Sequence, residues 1–273
     1  VEIRPLEDWD EYRSCEGLQR EVWGAAFTEL VPASLLKISQ RVGGVTSGAF
    51  DEAGEMVGFV FGLTGLEGGR PVHWSHMLAV RDAYRGHGLG TALKRHQRER
   101  LAAQGVEVCY WTYDPLVSGN AHINLNRLLA VPVEYVVDMY GETGSYLHEG
   151  LGTDRFRVAW AVGPGAPDPF DPDEPARAEH RAELERHADA PVANPGGGTE
   201  EPFPDGLAVR VAVPSDIFAV RQSDPEEALR WRVSTRRALQ HYMSAGYRVA
   251  GFRTPAAGSD VGHYVLVRAG SGA

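Results

Sequence analysis

The stretch Arg85-Gly86-His87-Gly88-Leu89-Gly90 decides the reading of this chain, because it fits Arg/Gln-x-x-Gly-x-Gly between a strand-like run and a helix-like one. Upstream, Pro71 to Val80 is apolar, aromatic and β-branched enough to read as a strand, and Arg81 to Tyr84 form a short polar connection. Downstream, Thr91 to Gln104 contains neither glycine nor proline, and Leu89, Ala92, Leu93, His96 and Ala103 share one helical face. Glycines at 86, 88 and 90 let backbone N–H groups converge, and a helix N-terminus adds partial positive charge. Arg85 to Thr91, His87 included, therefore read as a cradle for a pyrophosphate. No Lys-Ser/Thr follows the glycines, as a P-loop needs, and no Gly-x-Gly-x-x-Gly opens a βαβ unit. Taken alone, the hexapeptide also reads as a plain strand-to-helix turn.

The whole composition is that of an ordinary globular protein of 273 residues, long enough for one large core or two smaller ones. With 37 acidic against 27 basic residues, the net charge of −10 argues against a nucleic-acid partner, whose phosphates need clustered Lys and Arg. No apolar run approaches a membrane span of roughly 20 residues. Val1 to Pro5 lacks a signal-peptide core, and the opening on Val1 reads as trimming or an incomplete start. Cys15 and Cys109 are too few for a disulfide framework or a cysteine metal site, and read as packed thiols in a reducing cytoplasm. No metal is expected.

Working outward, Val1 to Pro5 reads as a strand, Trp9 to Glu21 as a helix, and Ser34 to Gln40 as either a short helix or a strand approach. Val45 to Phe50 and Met56 to Leu63 alternate around Asp51-Glu52-Ala53-Gly54-Glu55, a hairpin signal. Val106 to Tyr113 is a further strand, and Asn120 to Leu129 a short helix capped by Ser118 or Asn120. Tyr135 to Tyr140 and Phe156 to Val162 read as closing strands. The fold class is α+β, a mixed central sheet flanked by helices over residues 1–162. Residues 163–206, rich in Pro, Gly and acids, read as a linker with one short helix from Arg177 to Ala188. Residues 207–273 read as a smaller strand-helix-hairpin domain, either a degenerate half-repeat of 106–162 or a chance recurrence of element order.

Leu78-Ala79-Val80, then Tyr84-Arg85, then Gly88-Leu89-Gly90 stand in the order found in the GNAT superfamily of acyl-CoA-dependent N-acyltransferases, which this chain resembles over roughly residues 1–160. The runs Trp111 to Leu116, Asn120-Ala121, Asn124-Leu125 and Thr153 to Phe156 resemble more closely one bacterial two-domain branch, some of whose members acylate amino acids. The resemblance implies acetyl-CoA or another acyl-CoA, succinyl-CoA included, as the donor, with its pyrophosphate in the cradle. It also implies that Leu78 and Val80 offer free backbone amides to the acyl-pantetheine arm, a physical reason to leave them unpaired in a sheet. Asn120 and Asn124, one turn apart, either contact that arm or cap their helix.

N-acylation asks for a donor to the thioester carbonyl, a base for the ammonium and an acid for the leaving thiolate. His76 is the favoured base: the superfamily often carries Glu or His there, imidazole titrates near neutrality, and alternation puts 76, 78 and 80 on one strand face. His73 then points the other way and reads as structural, and Glu29 is the rival base. The superfamily's usual acid is a tyrosine on the helix after the fifth strand, where this chain has Leu125; Tyr140, Tyr113 or Tyr135 substitute through space, or solvent supplies the proton. Asp114, Arg155, Arg232 and Arg236 either form internal ion pairs or face a charged substrate, since guanidinium forks suit carboxylates.

The expected function is acyl transfer to a primary amine of a small molecule, an amino acid for example, by direct transfer in the cytoplasm, with homodimer formation open. The competing expectations are a catalytically silent acyl-CoA-binding module and a protein N-acetyltransferase.

Overall fold

The computed structural model describes residues 1–145, 150–198 and 202–270. They divide into two compact units, one of residues 1–111, 143–145 and 161–166, the other of 112–142, 150–160, 167–198 and 202–270. Among the described residues no helix is long and apolar enough to cross a membrane.

The first unit contains β1 (Glu2–Pro5), α1 (Trp9–Trp23), α2 (Ala33–Arg41), β2 (Val45–Phe50), β3 (Met56–Glu67), β4 (Arg70–Val80), α3 (Leu89–Ala103) and most of β5 (Val108–Tyr113). Its strands lie in the order β1-β2-β3-β4-β5, antiparallel up to β4 and parallel from β4 to β5, which makes the sheet mixed. Asp8 starts α1 by accepting the N–H groups of Asp10 and Glu11. Ser34 to Gln40, ambiguous in the sequence, is helical within α2, and the Glu16 carboxylate takes the Ala33 N–H at its start. Asp51 closes the β2–β3 hairpin by accepting from Ala53 and Glu55. β3 runs four residues past its expected end and turns into β4 through Gly68 and Gly69, whose φ angles of 57° and 82° suit a two-residue hairpin turn.

α1 and α2 cover one face of this sheet over a core that includes Tyr12, Cys15, Leu18, Leu36, Phe59, Phe61, Met77 and Ala79. α3 covers the other face, burying Leu93 and Leu101 completely.

The second unit holds the end of β5, α4 (Ser118–Ala121) with a π-helical turn (His122–Arg127), the antiparallel pair β6 (Val131–Val136) and β7 (Arg155–Ala161), and α5 (Pro175–Arg186). It continues through β8 (Ala208–Pro214), α6 (Ile217–Ser223), α7 (Pro225–Ser244), β9 (Tyr247–Arg253) and β10 (Val261–Arg268). The last three strands form an antiparallel sheet in the order β8-β10-β9. This is the smaller C-terminal α/β part expected from the sequence.

Residues 163–206 are more structured than a linker. Val192 bridges in parallel to Arg210 on the edge strand β8, and the fully buried Asn194 side chain both donates to Ala212 O and accepts from Ala212 N. The segment thus covers a sheet edge with backbone-like pairing. Ser118 does not cap its helix: its hydroxyl donates to Pro214 O, and the helix start carries no side-chain cap.

Candidate functional site

The glycine loop leads directly into α3, in the place the sequence predicts. Gly86 and Gly88 take φ of 80° and 81°, in the left-handed region, and Gly88 sits at the N-cap of α3. The first-turn N–H groups of α3 have no acceptor within the helix and face the cradle with the positive end of its dipole. Arg85 anchors the loop to the sheet, its Nε donating to Val80 O at 3.1 Å, and its guanidinium pairs with Asp82 at 2.8 Å. Tyr84 is tied to the Asp51 carboxylate at 3.0 Å. A surface cavity of about 450 Å³ runs from Gly88, Thr91 and Ala92 along Arg95, His96 and Glu99 of α3.

Beside the cradle, β4 and β5 part. They pair only at Val72↔Val108, His73↔Cys109 and Trp74↔Tyr110, although β4 continues to Val80. The Arg81 N–H donates to Val57 O on the β3 side, so alternation turns the N–H groups of Leu78 and Val80 toward the edge that β5 has left. That arrangement is the fork the family resemblance implied.

One expectation is corrected here. Met77 pairs with Phe61 and Ser75 with Gly62, so His76 is an extra residue on β4, a β-bulge that shifts the phase of the strand. Before the bulge, His73 and Ser75 face α3, where Gln97 meets both. After it, Leu78 faces α3, 3.6 Å from where a Cβ on Gly90 would stand, while Met77 and Ala79 join the α1/α2 core. His76 lies on that α1/α2 side, edge-on to Phe61 with ring centroids 6.0 Å apart. His76, Leu78 and Val80 therefore do not share a face, because the bulge separates them.

Burial holds the His76 imidazole below its ordinary range, and the nearby Glu29 carboxylate pulls it partly back. The two rival bases are thus neighbours. His73 is structural as expected: Thr64 and Gln97 hold its two ring nitrogens, and burial beside Lys94 pushes it down to about 3.

The remaining candidates belong to the second unit. Tyr140 is half-buried, and its hydroxyl meets Thr112 Oγ1 at 2.8 Å, at the end of β5. Thr153 positions it by accepting the Tyr140 N–H. Tyr135 spends its hydroxyl on Asp154 at 2.6 Å, and burial drives the phenols of Tyr135 and Tyr113 far above their ordinary range, so neither suits an acid. Asn124 turns its amide onto Asn120 O at 2.8 Å within the π-helical turn, while Asn120 is exposed. Leu125, in the place of the usual tyrosine, is buried.

Asp114, Arg155, Arg232 and Arg236 are engaged internally. Arg232 donates to Asp114 at 2.6 Å and to Leu151 O at 2.9 Å, and Arg155 stands 3.6 Å from the same carboxylate. Arg236 grips Asp154 through two nitrogens at 2.7 and 2.8 Å. The motif Thr153-Asp154-Arg155 thereby ties the second unit together. Asp114 also accepts the Leu116 N–H, the turn-forming reading of Asp-Pro. Sequence reasoning missed Thr112 and Lys94, the latter because a lysine on a helix ordinarily faces water.

A three-helix, mixed-sheet unit with a glycine loop at a helix start and a fork between two central strands is the GNAT-like α+β fold expected from the sequence. Residues 9–122 match the model of the acetyltransferase (GNAT) family. Among curated proteins none matches the chain. Similar solved structures include the NatC complex bound to Gag peptide and CoA, at 18% identity and TM-score 0.46 over 59% of this chain and 97% of that one. They also include the ribosomal-protein-S18-alanine N-acetyltransferase from Escherichia coli, at 18% identity and TM-score 0.45 over 59% and 94%. Arabidopsis thaliana NAA60 with a bisubstrate analogue gives 17% identity and TM-score 0.46 over 60% and 98%. The first of these is bound to a peptide, and the second is named for an alanine of a ribosomal protein. Both differ from the small-molecule amine expected from the sequence, which is not carried further.

Proposed function

We propose that the chain is an acyl-CoA-dependent N-acyltransferase that passes an acetyl group from CoA to the amino group of a polypeptide. The observation that carries the transferase reading is the fork: strand pairing stops at Trp74↔Tyr110, and the N–H groups of Leu78 and Val80 turn into the gap beside the cradle. CoA is held in this reading by its pyrophosphate at Gly86 to Thr91 and by its pantetheine arm along β4. His76, kept neutral by burial, takes the proton of the acceptor ammonium with Glu29 beside it. The amine nitrogen then bonds to the thioester carbon, whose oxygen is polarised by backbone N–H, the C–S bond breaks, and the thiolate takes a proton from solvent. No acyl-enzyme is invoked: Cys109 is fully buried with its thiol pushed up to about 11, and Cys15 is buried likewise.

The test is thiol release from acetyl-CoA and succinyl-CoA against peptides with free and with blocked amino termini, using wild type, His76→Ala and Gly88→Trp. Turnover only with free amines, absent in Gly88→Trp and strongly reduced in His76→Ala, is the expected result. A protein that binds acetyl-CoA yet releases no thiol with any peptide overturns the transferase reading.

A further inference from the structure

Lys94 is a buried cation with no carboxylate against it among the described residues. It projects from α3 with 7% of its surface exposed, and its Nζ donates to Ser75 Oγ at 2.8 Å and Gln97 Oε1 at 3.2 Å. The same ammonium stands 3.9 Å above the Trp111 ring. Facing it are His73 and Ser75 from β4, Cys109 and Trp111 from β5, and Gln97 from its own helix. Such a site is unfavourable for charge, and burial brings the ammonium down to about 8. An apolar side chain of the same length would fill the space without that desolvation.

The location gives the charge a use. The last β4–β5 rung is Trp74↔Tyr110, and Ser75 and Trp111 are each the next residue along their strands. Lys94 therefore holds one side chain from each strand at the mouth of the fork. Ser75 also precedes His76, the bulge residue. We propose that Lys94 is a positioning residue, a strut that joins β4 to β5 where their pairing ends and so sets the gap that receives the acyl-CoA arm. The inference rests on the acyltransferase reading above and adds to it a residue that does not touch the reacting atoms.

Acetyl-CoA binding by calorimetry, with thermal unfolding in parallel, tests it on full-length wild type, Lys94→Met and Ser75→Ala from about pH 7 to about pH 9.5. Lys94→Met should melt no lower than wild type, because no partner charge is stranded, yet bind acetyl-CoA at least about fivefold more weakly at pH 7. Ser75→Ala cuts the strut on β4 alone and should weaken binding in the same direction, so the inference stays testable if Lys94→Met unfolds. Wild-type affinity should fall as pH rises past about 8, toward that of a pH-insensitive Lys94→Met. His73, pushed down to about 3, and Cys109, pushed up to about 11, do not titrate in that window. Wild-type affinity in both variants, or one pH slope shared by wild type and Lys94→Met, overturns the strut. A wild type that binds no acetyl-CoA at any pH overturns the acyltransferase reading with it.

Discussion

At the scale of single residues the candidate chemistry turns on His76 and Gly88. Because burial lowers the His76 pKa from 6.5, protonation that would silence it as a base sets in only below that value. In this reading kcat/KM stays level through pH 7, and its acid limb lies below pH 6.5. His76→Ala should lower kcat/KM by about 10²- to 10⁴-fold while leaving acetyl-CoA affinity near that of wild type, read by steady-state kinetics and calorimetry. A Cβ added at Gly88 would meet nothing within 4 Å, so the position requires glycine for its φ of 81° and not for space. Gly88→Ala should therefore cost about 1–2 kcal/mol in chemical denaturation, and Gly88→Asn less, since Asn tolerates the left-handed region.

At the scale of elements, the edge of β8 shows how a polar segment becomes structure. Asn194 spends its amide oxygen and nitrogen on the backbone of Ala212, as a neighbouring strand would. Asn194→Ala leaves a buried N–H and C=O without that partner, and urea unfolding should show a loss of about 1–3 kcal/mol. The sequence signs of this pairing were weak, because Pro191 to Gly198 has the composition of a loop and a side chain standing in for a strand leaves no periodicity. The cradle was legible for the opposite reason: glycine spacing, the preceding strand and the following helix are all local. The bulge was not legible, since Met77, Leu78, Ala79 and Val80 are all apolar and fit either phase of a strand buried on both faces. Only the partner register on β3 reveals that His76 is the extra residue. Likewise the Gly68-Gly69 pair carried a hairpin signal that the long β3 and β4 runs absorb.

At the scale of the whole molecule, a chain with a net charge of −10 keeps a compact group of buried charge in its second unit, with Arg155, Arg232 and Arg236 around Asp114 and Asp154. Asp154 has no exposed surface. Burial alone would raise its carboxyl, but hydrogen bonds from Arg236 and Tyr135 outweigh burial and hold it below the ordinary value of 3.8. A carboxyl whose folded pKa is depressed adds stability above its unfolded pKa and loses it as pH falls through the folded pKa. The second unit should therefore hold its stability from neutrality down to about pH 4 and lose it steeply in stronger acid. Asp154→Asn removes the charge while keeping the size, leaving Arg236 without its partner. The cost at pH 7 should be about 3 kcal/mol, the low end for a broken buried pair, because the Arg236 side chain is 32% exposed and partly screened by solvent. Urea unfolding at intervals from about pH 7 to about pH 3 should show the gap between wild type and Asp154→Asn closing as the native carboxyl takes up its proton. A gap that stays constant across that range would mean that the stabilisation comes from packing around Asp154 and not from its charge.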